Sequence, residues 1–140
     1  MSNGLSSSNP SDLIQDDRLR AFFESYRSAW ERRDIDEILA MYDRPLMTLR
    51  LDGTLHCLHD EAELRRVFVA ALDRYVATGY ETLELTVDNI VMAGQTATLV
   101  AVTWTLRSAP DVVVMKFRQT YNVRTTPDGW KIYASTQHIE

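Results

Sequence analysis

The sequence places polar side chains that could orient a small molecule among apolar neighbours in its carboxyl-terminal half. Successive strand residues point to opposite faces, so Phe117, Gln119, Tyr121 and Val123 share one face of a predicted strand. An amide and a phenol set among aromatic and aliphatic walls are typical of a pocket for a small organic ligand. We therefore expect Phe117, Gln119 and Tyr121 to line such a pocket.

Other candidate ligand-binding residues lie in the amino-terminal half and in a second strand. Arg50 precedes a predicted turn, and its guanidinium could bind a carboxylate or an enolate oxygen if it points inward. The alternative is an arginine solvated on the outer face. Trp104 could stack on a ring or pack in the core or in a subunit interface, and Trp30 is a further large residue of the expected cavity. With Phe117 and Tyr121, these residues complete the predicted ligand-binding set.

Asp52 and His138 are the candidate proton acceptors. Asp52 is followed by Gly53, and this dipeptide is typical of a tight hairpin turn, which by itself accounts for the aspartate. His138 reaches the pocket only if the last strand stays ordered to its end. A proton acceptor must be positioned against the substrate with a suitable pKa, so neither residue is assigned by sequence alone.

Metal and nucleotide chemistry have no support in the sequence. His56 and His59 flank Cys57, but no third or fourth metal ligand accompanies them. None of the five glycines lies in a phosphate-binding loop. Cys57 is the single cysteine, so it forms no internal disulfide, and it has no recognisable base beside it. We expect neither a metal nor a cofactor.

Composition narrows the partners and the location. The chain has 140 residues, a net charge of -5 and a pI near 5.2, which oppose binding to the phosphate backbone of nucleic acids. No apolar run approaches the roughly 20 residues that span a bilayer. The first fifteen residues lack the basic start and apolar run of a secretory signal, so a cytoplasmic location is expected.

The chain begins with helical patterns. Residues 1–16 are rich in Ser, Asn and Gly and are expected to form a flexible tail, with residues 17–140 forming a single domain. Apolar residues spaced by three and four predict helices beginning near Asp17, Asp34 and Asp60. The last two aspartates are suited to capping their helices.

Strand patterns follow the helices. Two short runs flank Asp52-Gly53 and predict a hairpin, and four longer runs after Tyr80 predict an antiparallel meander. Two of these runs, Leu99 to Leu106 and Val112 to Phe117, are apolar at nearly every position, which predicts burial of both faces. We expect a homodimer through the outer face of the sheet; the alternative is a sheet that curls tightly enough to bury both faces itself.

The whole pattern resembles the nuclear transport factor 2-like superfamily, with its SnoaL-like and ketosteroid isomerase-like members. The resemblance covers about residues 17–140 and rests on the helix Phe22 to Arg33 with Asp34-Ile35-Asp36 after it, the hairpin, the third helix, and the closing Gly129-Trp130-Lys131-Ile132. It implies an α+β fold: a cone-shaped barrel of three helices packed on a strongly curved, mostly antiparallel sheet, often dimeric, with a pocket in between. Its members include isomerases, cyclases, dehydratases, epoxide hydrolases and non-catalytic domains.

The isomerase branch implies roles for three positions. Tyr26 matches the tyrosine that donates a hydrogen bond to a developing oxyanion, although it also lies on the apolar stripe of its helix. The aspartate base position falls near Arg50, two residues from Asp52. The second acid position falls at Gln119, which donates a hydrogen bond but is not acidic. The sequence therefore departs from that branch at two of the three positions.

Two functional hypotheses follow. The first is a pocket protein for an unidentified small molecule, acting as a cofactor-independent isomerase, cyclase or lyase on an apolar carbonyl compound. Tyr26 and Gln119 would be oxyanion donors, Arg50 an anchor, and Asp52 or His138 the proton acceptor. The second is a non-catalytic ligand-binding or dimerisation module of the same fold.

Overall fold

Three helices and six strands follow one another in the order that the sequence predicts. The computed structural model describes residues 10–94 and 96–138. No helix in this part of the chain combines the length and apolar character needed to cross a bilayer. The elements are α1 (Pro10–Glu31), α2 (Ile35–Ala40), β1 (Tyr42–Leu49), β2 (Leu55–Leu58), α3 (Glu61–Val76), β3 (Thr82–Ala93), β4 (Ala97–Ala109), β5 (Val112–Thr126) and β6 (Gly129–Gln137).

The first helix buries one stripe of large side chains. Leu19, Phe23, Tyr26 and Trp30 recur at intervals of three and four residues and are at most 5% exposed. The helix begins at Pro10, whose fixed φ suits a first helical turn, and not at the predicted Asp17. Residues 1–9 of the predicted tail lie outside the described residues, and the part from residue 10 is helical.

Aspartates cap the two later helices, as predicted. The Asp34 carboxylate accepts the backbone N–H of Glu37 at 3.2 Å, and the Asp60 carboxylate accepts that of Glu63 at 2.9 Å. Each bond satisfies a donor that the first helical turn leaves without a partner. These caps fix where α2 and α3 begin and therefore which α3 side chains face the sheet.

The predicted hairpin joins β1 to β2 across Asp52-Gly53. Gly53 has a φ of +84°, a conformation that glycine adopts without steric cost. The antiparallel register pairs Thr48 with His56 and Leu49 with Leu55. Because side chains alternate, Thr48 and Arg50 point to one face and Leu49 to the other, and both Thr48 and Arg50 line the concave side.

The strands form one sheet in the order β2-β1-β6-β5-β4-β3. The meander β3 to β6 is antiparallel, whereas β1 pairs with β6 in parallel, a contact that the sequence did not indicate. Register shifts interrupt four of the five strand pairings, and such bulges bend a sheet. The predicted α+β fold, three helices on a curved and mostly antiparallel sheet, is confirmed.

The two faces of the sheet differ in character. The concave face carries a buried core that continues into the helices, including Val100, Val102 and Leu106. The middle of the outer face carries polar and charged side chains, among them Thr103 and Lys116 within the two apolar runs and Arg118 just beyond them. Within the two runs the polar residues fall at alternate positions, so they gather on one face of the sheet. That face therefore needs no continuous apolar cover.

Candidate functional site

A cavity of about 420 Å³ lies between α1, α3 and the concave face of the sheet. Its volume falls in the range typical of small-molecule sites. The residues that line it come from both helices and from β1, β3, β4, β5 and β6. They are Tyr26, Trp30, Tyr42, Thr48, Arg50, Arg66, Val67, Phe68, Ala70, Ala71, Arg74, Tyr75, Leu83, Trp104, Leu106, Phe117, Gln119, Tyr121, Ser135 and Gln137.

Three buried tyrosines form the floor of the cavity. Tyr26 on α1, Tyr42 at the start of β1 and Tyr121 on β5 are each at most 3% exposed. The Tyr26 and Tyr42 hydroxyls are hydrogen-bonded to each other. The Tyr121 hydroxyl accepts a hydrogen bond from the indole Nε1 of Trp104 at 3.0 Å. The phenols of three separate elements are therefore gathered at one end of the cavity.

Burial keeps these phenols neutral. It raises the pKa of Tyr26, of Tyr42 and of Tyr121 well above the ordinary tyrosine value, and for each residue the charge of a neighbouring tyrosine raises it further. A neutral phenol can donate a hydrogen bond without carrying charge into a dry site. The floor can therefore bind an oxygen of a ligand, including one on which negative charge develops.

Flat aromatic surfaces form one wall. Phe117 is stacked with two other rings: its centroid lies 5.7 Å from that of Tyr75 and 6.4 Å from that of Trp104, with interplanar angles of 19° and 22°. Trp30 packs edge-on against Phe68 at 6.1 Å. Such surfaces favour a flat, apolar ligand over a branched or strongly hydrated one.

Two buried polar atoms in the lining have no partner among the described residues. They are the indole Nε1 of Trp30 and the hydroxyl Oγ1 of Thr48. Trp30 is only 5% exposed. Buried polar atoms in native proteins are nearly always hydrogen-bonded, so these two are available to a water molecule or a ligand. The Trp30 indole also lies near enough to the Tyr26 hydroxyl to oppose the rise in the pKa of that group.

The charged residues of the lining are all arginines. Arg50 is half-buried, whereas Arg66 and Arg74 are exposed on one face of α3 with Ala70 between them. No aspartate, glutamate, histidine or lysine belongs to the lining in the described part of the chain. Nor do three His, Cys, Asp or Glu side chains come together as a metal site would need, within residues 10–94 and 96–138.

Seven of the nine residues singled out in the sequence lie together in this lining. They are Tyr26, Trp30, Arg50, Trp104, Phe117, Gln119 and Tyr121. The alternation of β5 places Phe117, Gln119 and Tyr121 on the concave face, and the register of the hairpin brings Arg50 inward. The structure thus brings the proposed ligand-binding residues and both proposed oxyanion donors to one cavity.

The two candidate proton acceptors lie outside the lining. Asp52 is exposed on the hairpin turn, where its carboxylate accepts the backbone N–H of Thr54 at 3.0 Å and its hydroxyl at 2.6 Å. These bonds, the hydroxyl bond first, lower the pKa of Asp52 below its ordinary value. A carboxylate of low basicity held in a surface turn has the geometry of a turn residue rather than of a base.

His138 faces away from the cavity. Its predecessor Gln137 lines the cavity, so the next residue along the extended chain projects from the opposite face. There the imidazole Nε2 lies 2.5 Å from the hydroxyl of Thr120. The last strand does stay ordered to this point, but its alternation directs the imidazole outward.

Sequence reasoning missed the α3 arginines and the contribution of the first and last strands. Arg66 and Arg74 flank the apolar stripe of α3, a position where long charged side chains usually reach into solvent. Thr48 enters the lining through the parallel pairing of β1 with β6, and Ser135 and Gln137 enter through the pairing of β6 with β5. The sequence does carry one signal for these two arginines. They are eight residues apart with Ala70 midway, and this spacing places Arg66, Ala70 and Arg74 on one face of the helix.

Comparisons with known proteins agree with this architecture. The model of a family described as NTF2-like protein (DUF6841) matches residues 16–140. No sequence among the curated proteins matches the chain. Solved structures of similar fold include an NTF-2 like protein of unknown function from Shewanella oneidensis MR-1. That protein is 22% identical, with a TM-score of 0.67, covering 87% of this chain and 97% of its own.

Two further structures show the range of proteins with this fold. A domain of unknown function with a cystatin-like fold from Nostoc punctiforme is 20% identical with a TM-score of 0.68, covering 95% of this chain and 81% of its own. A ketosteroid isomerase-like protein from Erwinia carotovora atroseptica is 14% identical with a TM-score of 0.62, covering 88% of this chain and 95% of its own. At these identities the likeness concerns the fold alone.

Proposed function

The chain belongs to the NTF2-like family DUF6841, and from this premise we propose that its cavity binds a small, mostly apolar organic molecule. The observation that carries the proposal is an open cavity of about 420 Å³ whose lining contains two buried polar atoms without partners. A domain whose only task was packing would fill such a volume with side chains and satisfy those atoms.

The arrangement of the lining supports binding in a defined orientation. Phenols at the floor, among them Tyr26 and Tyr121, can donate to a carbonyl oxygen of the ligand. The rings of the ligand would lie along the aromatic wall formed by Tyr75, Phe117 and Trp104. Apolar walls with a few convergent polar groups are the usual construction of a small-molecule site.

Cofactor-independent isomerase, cyclase or lyase activity on a carbonyl compound is the second candidate function. The neutral Tyr26 and Tyr121 favour it, because phenols in a dry site stabilise enolate charge, and Gln119 offers a further donor. The described lining carries no carboxylate or imidazole to accept the proton. Binding is therefore the function that the geometry supports first, and proton transfer the second.

The binding proposal is tested by blocking the mouth of the cavity. Ala70 lies in the exposed part of the lining on α3, so Ala70→Trp should obstruct access without disturbing the core. Val69 precedes it on the same helix, is 39% exposed and does not line the cavity, which makes Val69→Trp the matched control. Binding of naphthoate and of naphthamide is measured by isothermal titration calorimetry.

Each outcome decides the proposal. We expect the protein and its Val69→Trp variant to bind at least one of these probes, and Ala70→Trp to weaken that binding by about tenfold or more, a change of about 1.4 kcal/mol. Equal affinities for the two variants would mean that the probes bind elsewhere. That result, or the absence of any binding, would overturn the proposal.

We also propose that two copies of the chain associate through the outer face of the sheet. Met47, Leu49 and Leu55 are 36%, 38% and 63% exposed, and the register of β1 with β2 places all three on the outer face of the hairpin. Large apolar side chains grouped on an exposed sheet face favour association. The polar centre of the outer face separates this patch from the exposed Val91 on β3, and we place the contact at the hairpin because three large apolar side chains are grouped there.

A further inference from the structure

We propose that the ligand of the cavity is an organic anion, a flat aromatic molecule whose carboxylate or phosphate is held by Arg50, Arg66 and Arg74. The inference rests on the proposed binding function and adds the chemical class of the ligand. Three lines of evidence carry it: the arginines of the lining make no ion pair or side-chain hydrogen bond with the described residues, the described lining has no acidic residue, and its two buried polar atoms without hydrogen-bond partners can both donate.

The three arginines stand apart from most others in the chain because they make no ion pair or side-chain hydrogen bond with the side chains of residues 16–94 and 96–138. Arg50 lies near enough to the exposed Asp52 for its charge to lower the pKa of that carboxyl, but the two groups form no ion pair. Elsewhere, Arg27 pairs with Glu24 at 2.7 Å and Arg65 with Asp36 at 2.8 Å. Arg65 is adjacent to Arg66 in sequence, so the chain provides acids for one α3 arginine and none for the next. Outside the cavity, Arg18 is the one arginine that likewise makes no polar contact with the side chains described in residues 16–94 and 96–138.

The charge of the lining is opposite to that of the chain. The protein carries a net charge of -5, with 20 acidic residues against 15 basic ones. The described lining nevertheless contains three cations and no carboxylate. A concave site with apolar walls and one sign of charge concentrates its field at the mouth and attracts ligands of the opposite sign. An acidic protein with random placement of charge would not be expected to produce this segregation.

The polar atoms without partners in the lining favour an acceptor-rich ligand. A guanidinium and an indole N–H can only donate hydrogen bonds, so Arg50, Arg66, Arg74 and the buried Nε1 of Trp30 all require acceptors. The buried hydroxyl of Thr48 can donate as well. A carboxylate or phosphate supplies only acceptors, and it matches the planar fork of an arginine in bidentate geometry.

The positions of these groups set the orientation of the ligand. Arg66 and Arg74 are exposed on α3 and Arg50 is half-buried at the end of β1, whereas the tyrosines of the floor are buried. The acidic group would therefore lie at the mouth, where it keeps part of its hydration, and the ring would enter toward the aromatic wall. This arrangement avoids the cost of burying a charge completely.

The test compares naphthoate, naphthyl phosphate and uncharged naphthamide, which share a ring system, by calorimetry at low salt. We expect at least one of the two anions to bind about tenfold or more tightly than the amide. Arg50→Gln should remove most of this preference while changing the affinity for naphthamide less than about twofold. Arg18→Gln, which removes an equal charge outside the cavity, should leave all affinities unchanged. Preference for the carboxylate or for the phosphate identifies which oxyanion the arginines accept.

Failure of this inference is distinct from failure of the binding proposal. If naphthamide binds as tightly as both anions and is excluded by Ala70→Trp, the cavity binds ligands but the anion inference is overturned. If an anion is preferred but Arg18→Gln and Arg50→Gln reduce its affinity equally, the preference comes from overall charge and the assignment to the cavity is overturned. Should the Arg50→Gln variant unfold, Arg74→Gln on the exposed face of α3 provides the same comparison.

Discussion

The indole N–H of Trp104 donates to the hydroxyl of Tyr121 across 3.0 Å and thereby joins β4 to β5 at the floor of the cavity. Both side chains are almost fully buried, at 4% and 2% exposed. An indole N–H can only donate a hydrogen bond, so the buried N–H of Trp104 depends on Tyr121 for its acceptor. The pair fixes the orientation of one ring of the wall and one phenol of the floor together.

Replacement of Tyr121 by Phe should therefore destabilise the protein by more than the loss of one average hydrogen bond. The Trp104 N–H would remain buried without an acceptor, so we expect the free energy of unfolding to fall by about 1–3 kcal/mol. Tyr133→Phe on β6 is the control, and it should change the free energy by less than about 0.5 kcal/mol. Urea unfolding followed by circular dichroism measures both. Equal effects would show that the Trp104–Tyr121 bond contributes nothing specific.

Stability should fall at alkaline pH because of the buried tyrosines. The pKa values of Tyr26, Tyr42, Tyr75 and Tyr121 are raised in the folded state, chiefly by burial. The neutral tyrosines contribute fully to the stability of the folded state at pH values below the unfolded-state pKa of about 10. Above that pH the unfolded chain releases protons that the folded chain retains. This contribution to stability is therefore lost as the pH rises toward the folded-state pKa values. Each such tyrosine should lower the free energy of unfolding by about 1.4 kcal/mol per pH unit above that point.

Denaturant titrations between about pH 9 and pH 11 measure this slope. The Tyr26→Phe variant should show a slope smaller by the share of one tyrosine. A slope that does not respond to Tyr26→Phe would contradict the assignment of the alkaline transition to the floor of the cavity.

Thr48→Val separates a binding role from a structural one. The Thr48 hydroxyl is buried without a partner, so an apolar group of the same shape should raise the free energy of unfolding of the ligand-free protein by about 1 kcal/mol. The same variant should weaken binding of the preferred naphthalene anion. The matched substitution Thr103→Val removes a hydroxyl that donates to Asp88 at 2.6 Å on the outer face, and it should lower stability by about 1 kcal/mol without affecting binding. Loss of stability in both variants would mean that Thr48 has a structural partner.

The fold was accessible from the sequence because its signals are local. Asp34 and Asp60 predict the starts of their helices, Asp52-Gly53 predicts the hairpin turn, and the alternation of strand residues places Gln119 on the concave face. Each of these follows from the spacing of a few consecutive residues. The parallel pairing of β1 with β6 joins segments about 90 residues apart, for which no local pattern exists.

The site was less accessible because its composition depends on that non-local pairing. Thr48 and Ser135 enter the lining only when β1 lies beside β6, and Arg66 joins them only when α3 crosses the sheet at the observed position. His138 lies outside the lining because of a single step of alternation, since Gln137 takes the inward position. Residue type thus identified candidates, and strand register decided among them.

Association of two chains should depend on Leu55, which is 63% exposed on the outer face of the hairpin beside Leu49. Leu55→Lys would place a charge in the proposed contact, where desolvation is costly, and should convert a dimer into a monomer of 16.1 kDa, as measured by light scattering after size-exclusion chromatography. Leu51 is 53% exposed on the turn outside this patch, so Leu51→Lys should remain dimeric. A monomeric protein before any substitution would overturn the proposed contact, and a Leu55→Lys dimer would move it elsewhere on the surface. Leu55 is largely exposed in the single chain, so its replacement should not disturb the fold of that chain. A Leu55→Lys variant that is monomeric and still unfolds cooperatively on heating would therefore assign the change in mass to association rather than to folding.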